Sequence, residues 1–160
     1  MILSFGHCVM EYHPLLGRCS PILTETLLQL GSVSRYDPQS LVHAQGVSLT
    51  HLGIILWGEA FLKRLHHSKK MAVSPGFALG DEKLFERTRE DKNAPYETSE
   101  SCVAVTDCGV LWVSLGEWNC VKEELTVQRC RQTVLHLSSL LMRGYLQKKD
   151  FRRQMGVYIS

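Results

Sequence analysis

No apolar run in this sequence is long enough to cross a bilayer. The longest, Leu52 to Leu62, has eleven residues and contains Glu59, whereas a spanning helix needs about 20. Met1 to Cys8 has no basic region and no sustained apolar stretch before Glu11 and His13, so no signal peptide is expected. No Asn-x-Ser/Thr acceptor occurs either. The six cysteines (Cys8, Cys19, Cys102, Cys108, Cys120 and Cys130) are even in number but lack an oxidising context. They are expected to be reduced thiols in an intracellular protein, cytoplasmic or nuclear.

Catalytic signatures are missing too. There is no G-x-S-x-G, no G-x-x-x-x-G-K-[ST] and no H-E-x-x-H. Gly76 and Gly80 are two glycines without a third, so no dinucleotide loop is expected. Cys102, Cys108, Cys120, Cys130 and His136 lack the close C-x₂₋₄-C pair that pre-organises a zinc tetrahedron. His66 and His67 are adjacent, hence about 100° apart on a helix. The sequence therefore predicts no enzyme, no metal and no cofactor.

What is present is a chain of globular composition, 44% hydrophobic and 21% charged, of a length that suits one domain. Its net charge of +2 is unevenly spread: residues 63–70 carry +4, 71–126 carry −6 and 127–160 carry +6. Val127, Cys130, Val134, Leu137 and Leu141 recur at heptad spacing. With Asn119 as cap and Gly144 as stop, they predict a long helix over about 119–143. Ser20-Pro21 and Gly31 bracket a shorter helix, and Asp37-Pro38 and Gly46 bracket another. The run from Ser48 to about His67, apolar nearly all round, reads as a buried helix.

Gly80-Asp81 reads as the start of a polar helix to about Asn93, with the carboxylates of 81–100 facing water. Cys102–Thr106 and Val110–Leu115 are β-branched and apolar. Separated by Asp107-Cys-Gly109, they predict a hairpin. The fold expected is mainly α, a small single α+β domain with one late β-hairpin. Residues 1–19 would be an irregular arm, 20–143 the helical domain with a mobile 71–101 segment and the hairpin at 102–115, and 144–160 a basic segment.

That last segment holds the candidate contact residues. Arg143, Lys148, Lys149, Arg152 and Arg153, with Tyr145 and Phe151 among them, fall on neighbouring turns. Such a face suits phosphates, stacked bases or an anionic lipid surface, and equally a solvated helix face. Leu137-Ser-Ser-Leu-Leu141 resembles the LxxLL box with which nuclear-receptor coregulators dock. The resemblance implies docking through Leu137, Leu140 and Leu141, whereas the heptad pattern puts those leucines in the core. Tyr12-His-Pro-Leu15 fits the loose tyrosine-sorting pattern.

The function expected is a small protein-interaction module with a basic C-terminal segment and a protein partner. A second reading is a marginal reading frame without evolved function. Gly53 and Gly58 interrupting the most apolar helix motivate it, because natural domains agree across levels. Weak contact with nucleic acid or anionic lipid is the third.

Overall fold

The computed structural model describes residues 13–19, 21–85, 96–127 and 131–156. After a single 3-10 turn at Leu16–Arg18 comes α1 (Pro21–Leu30), lying between the Pro21 start and the Gly31 stop. Seven strands follow: β1 (Ser32–Tyr36), β2 (Leu41–His43), β3 (Ser48–Leu49), β4 (His51–Trp57), β5 (Ala60–Lys63), β6 (Lys70–Val73) and β7 (Ala78–Leu79). Next are the short α2 (Glu82–Phe85), then β8 (Tyr96–Glu97), β9 (Ser101–Ala104) and β10 (Cys108–Ser114). Two helices, α3 (Leu115–Val127) and α4 (Arg131–Gln154), complete the chain.

The expected mainly helical domain with one late hairpin is not formed. One four-stranded sheet has the order β1-β10-β4-β7, a second the order β2-β9-β5-β6, and β3 pairs with β8. Strand pairing is antiparallel throughout the two sheets, which face each other as a jelly-roll-like sandwich. α1, α3 and the first half of α4 cover the outer side of the first sheet.

The apolar 52–62 run shows why the helical reading fails. Leu52, Ile54 and Leu56 on β4 point outward, into a core with Leu23, Leu27, Trp118 and Leu141 of the helices. Ile55 points inward, into the core between the sheets, with Leu62, Val73, Cys102 and Val110. A strand buried on both faces is apolar at every position, a pattern that periodicity cannot separate from a buried helix. The two glycines that break a helix are required here. A Cβ on Gly53 would lie 2.6 Å from the Trp112 ring. Gly58 has φ +87°, and a Cβ there would lie 2.2 Å from the Asp107 carbonyl oxygen.

Gly58 is a corner at which the chain leaves one sheet for the other. The 105–107 segment is a second corner, packed on the first: Val105 and Thr106 donate their N–H groups to the Glu59 carbonyl at 2.8 and 3.2 Å. The expected 102–115 hairpin is therefore two strands in opposite sheets. β9 pairs with β2 and β5, while β10 pairs with β1 and β4. The helix expected after Asp37-Pro38 is instead a turn, with the Ser40 N–H on the Asp37 carbonyl at 3.1 Å, followed by β2.

The predicted 119–143 helix is also redrawn. α3 begins earlier, at Leu115, and α4 continues through Gly144 to Gln154. Residues 128–130, with Cys130, lie outside the described residues, as do the side chains of Leu125, Val127 and Val134 and most of the polar helix expected after Gly80. Tyr12 of the sorting pattern lies outside them too. The first half of α4 is anchored in the outer core by Leu137, Leu140 and Leu141. That burial removes the LxxLL docking surface. No helix among the described residues is long and apolar enough to cross a membrane.

Candidate functional site

The seven candidate contact residues do not form one face. Lys148 and Arg152 are 1% exposed, and Tyr145 and Phe151 are buried with them. Arg143 and Arg153 face solvent, and Lys149 lies over the Tyr145 ring at 6.0 Å. A spacing of four residues places Lys148 and Arg152 on the same side of α4, and that side faces the sandwich. The basic phosphate-binding tail is thus corrected: two of its cations are spent on buried carboxylates.

Those carboxylates come from the acidic block. Asp81 and Glu82 lie at the turn from β7 into α2, and Glu100 precedes β9. The Lys148 ammonium donates to the Ala78 carbonyl at 2.7 Å, to Asp81 and, at 3.3 Å, to Glu82. The Arg152 guanidinium donates through Nε to Glu100 at 3.0 Å and through Nη2 to both Glu82 and Glu100. Ser99 Oγ also donates to Glu100, at 2.7 Å. Gly80, at φ +75°, sets the turn with its α carbon against the His51 carbonyl, where a Cβ would lie 2.6 Å from the oxygen.

Three carboxylates face two cations, all within 4% exposure. Burial raises the Asp81 carboxyl to about 7, outweighing the attraction of Lys148. Glu82 is different. Burial opposes its charge, but Lys148 and Arg152 together hold it down at about 2. A proton on Asp81 therefore balances the cluster near neutral pH. Beside it is His43, 7% exposed, whose pKa burial lowers while Glu100 and Glu82 oppose the shift. Three buried atoms have no hydrogen-bond partner among the described residues: His43 Nδ1, Asp81 Oδ2 and Arg152 Nη1. A polar cluster this buried yet incompletely satisfied is what a ligand site resembles from within.

Apolar walls adjoin the cluster. Phe151 of α4 and Met155, just beyond its end, enter the core between the sheets, against Ala60, Leu62, Val73 and Cys102. Burial pushes the Cys102 thiol up to about 12, which leaves it an inert apolar filler. Among the described residues no three His, Cys, Asp or Glu side chains are grouped to hold a metal.

This architecture recurs in known structures. A Catabolite Activator Protein from Thermus thermophilus is similar at a TM-score of 0.61 and 21% identity over 89% of this chain. A structure titled Sp-2Cl-cAMPS bound to PKAR CBD2 is similar at 0.64 and 13% identity, covering 94% of this chain and 88% of that one. A Cyclic nucleotide-binding-like protein from Brucella abortus gives 0.52 and 18%, covering 72% of this chain and 96% of its own. The fold is that of a cyclic-nucleotide-binding domain. The chain spans 62% of the length of the Thermus protein. No family model and no curated protein sequence matches it.

The fold overturns the expected helical interaction module. It also removes one ground for the marginal-reading-frame alternative, since Gly53 and Gly58 fit a strand and a corner. The polyanion-binding reading loses Lys148 and Arg152 to the interior.

Asp81, Glu82, Glu100 and His43 went unrecognised as site residues in the sequence. One signal pointed toward them: an acidic block and a basic block of equal and opposite charge, with two cations four residues apart.

Proposed function

We propose that the domain is a regulatory module that binds a cyclic nucleotide and performs no catalytic step of its own. The observation that carries this reading is the buried cluster of Asp81, Glu82, Glu100, Lys148 and Arg152 at the margin of the inter-sheet core, in a fold whose known examples include a domain bound to a cyclic-nucleotide analogue. Its parts suit such a ligand. Carboxylates accept hydrogen bonds from ribose hydroxyls, a guanidinium binds a cyclic phosphate, and the adjoining apolar walls take a base. Regulation follows from α4, which carries both cations and the apolar plug, so that occupancy of the site and the position of the helix are tied. A cytoplasmic location belongs to the same reading. It is supported by the free thiols of Cys19, Cys102, Cys108 and Cys120.

The test is titration calorimetry with cAMP and with cGMP, alongside thermal melts. One of the two is expected to bind with one-to-one stoichiometry and, at about 100 times its Kd, to stabilise the fold by about 2.7 kcal/mol. For a domain of this size that is a rise of roughly 5–11 °C in Tm. No heat and no shift with either nucleotide at millimolar concentration refutes the reading.

A further inference from the structure

We propose that the β5–β6 hairpin is a membrane-contacting tip that seats the domain on a bilayer surface rich in anionic lipid. It is a different surface from the buried cluster, and its role does not depend on nucleotide binding.

Residues 63–70 carry four cations, Lys63, Arg64, Lys69 and Lys70, and no carboxylate. The pairing of β5 with β6 sets Lys63 directly opposite Lys70. Side chains so placed start about 5 Å apart, and like charges there work against the fold. The Lys70 ammonium lies over the Phe61 ring, 4.5 Å from its centre. None of the four cations has an ion-pair partner among the described residues. Lys148 and Arg152, by contrast, share three carboxylates, and Arg35 holds Asp107. Charge of one sign concentrated on one turn destabilises the chain by self-repulsion, and an external anionic surface relieves it.

The turn is also shaped. The Leu65 N–H donates to Gln45 Oε1 at 2.7 Å, and the His67 N–H donates to the Arg64 carbonyl at 3.2 Å. His66 holds φ +66°, a left-handed angle that favours glycine. With the backbone tied at 65, the side chain is turned out: Leu65 is 63% exposed, more than any other large apolar residue described. An apolar apex among cations matches the interface of an anionic bilayer. The apolar group enters the acyl boundary while the cations stay among the headgroups. A nucleic acid would instead need an aromatic face on which to stack its bases, and Phe61, the hairpin's one large aromatic, is covered by Lys70.

The experiment is co-sedimentation of the full chain with phosphatidylcholine vesicles, with and without phosphatidylserine, over a range of salt. At about fivefold per cation, partitioning should favour the anionic vesicles by roughly 10²- to 10³-fold at low salt and fall as salt rises. Combining Lys63→Gln with Lys70→Gln should lose roughly 25-fold of this. The same double variant should melt no lower than the parent, because the like-charge pair is gone. Leu65→Ser should lose about tenfold and keep the salt dependence. Arg153→Gln, exposed on α4, should bind as the parent does. No binding, equal binding to both kinds of vesicle, or a loss in Arg153→Gln as large as in the double variant overturns the proposal. So does retention on a single-stranded oligonucleotide that Leu65→Ser leaves intact, which would assign the same cations to nucleic acid.

Discussion

Replacing Arg152 by Met separates the buried from the solvated reading of the C-terminal cations. The side chain is 1% exposed, and its guanidinium donates to Glu82 and to both oxygens of Glu100. Its removal leaves Glu82 with Lys148 at 3.3 Å and Glu100 with Ser99 at 2.7 Å. Breaking a buried ion pair from one side costs about 3–5 kcal/mol, because the remaining charge stays desolvated. Against a typical total stability of about 5–15 kcal/mol this is a large fraction. At roughly 2–4 °C per kcal/mol, Tm should fall by about 6–20 °C. Urea and thermal unfolding at pH 7 read this directly, with exposed Arg153→Met as the control that leaves the midpoint in place. Adding Glu100→Met to Arg152→Met removes one stranded charge and should recover part of the loss. A cost below about 1 kcal/mol for Arg152→Met, the range of a solvated surface pair, refutes the buried cluster.

Gly58→Ala forces a Cβ toward the Asp107 carbonyl at a backbone angle that other residues rarely adopt. It should cost at least about 1–3 kcal/mol in urea unfolding, and a neutral outcome would remove the paired corners. His13 donates through Nε2 to the Ile55 carbonyl at 2.6 Å and accepts at Nδ1 from the Leu15 and Leu16 N–H groups at 3.1 Å. Burial lowers its pKa despite the Ile55 bond, so the folded ring stays neutral where the unfolded one protonates. Its contribution is complete above the unfolded pKa of about 6.5 and is lost as pH falls below it. Asp81 acts in the opposite sense. Raised to about 7, it is protonated in the fold and ionised in the unfolded chain between about pH 4 and 7, which favours folding as pH falls. Urea midpoints from pH 7.5 to 5 should therefore drop more steeply in Asp81→Asn and less steeply in His13→Gln. The same slope in both variants would contradict these assignments.

Residues that form local structure were the legible ones. Pro21 and Gly31 bracket α1, and the β-branched runs at Ser101–Ala104 and Cys108–Ser114 are strands. Which strands pair was not legible, since the sheet is chosen by contacts distant in sequence. A strand–Gly-containing turn–strand pattern reads as a hairpin unless the turn is a corner. Here the Glu59 carbonyl, more than forty residues earlier, accepts the N–H groups that make it one. The heptad pattern likewise cannot reveal that Gly144 passes beside Gly76 and Phe77, within a helix that runs on.

The site shows the same division between local and distant information. Nothing in the order Lys148, Lys149, Arg152, Arg153 says which two cations are buried; the helix periodicity says only that 148 and 152 share a side. What decides it is Asp81, Glu82 and Glu100, which lie 52 to 70 residues away. Those carboxylates in turn read as a solvated polar stretch, because each half of a buried ion network looks like surface when seen alone. Either half buried by itself would be prohibitively costly, so neither could have been selected in the interior without the other. Fourfold spacing of two cations, together with an acidic block that offsets them, is therefore evidence for a clasp between distant segments. Net charge conceals it, because the two blocks cancel.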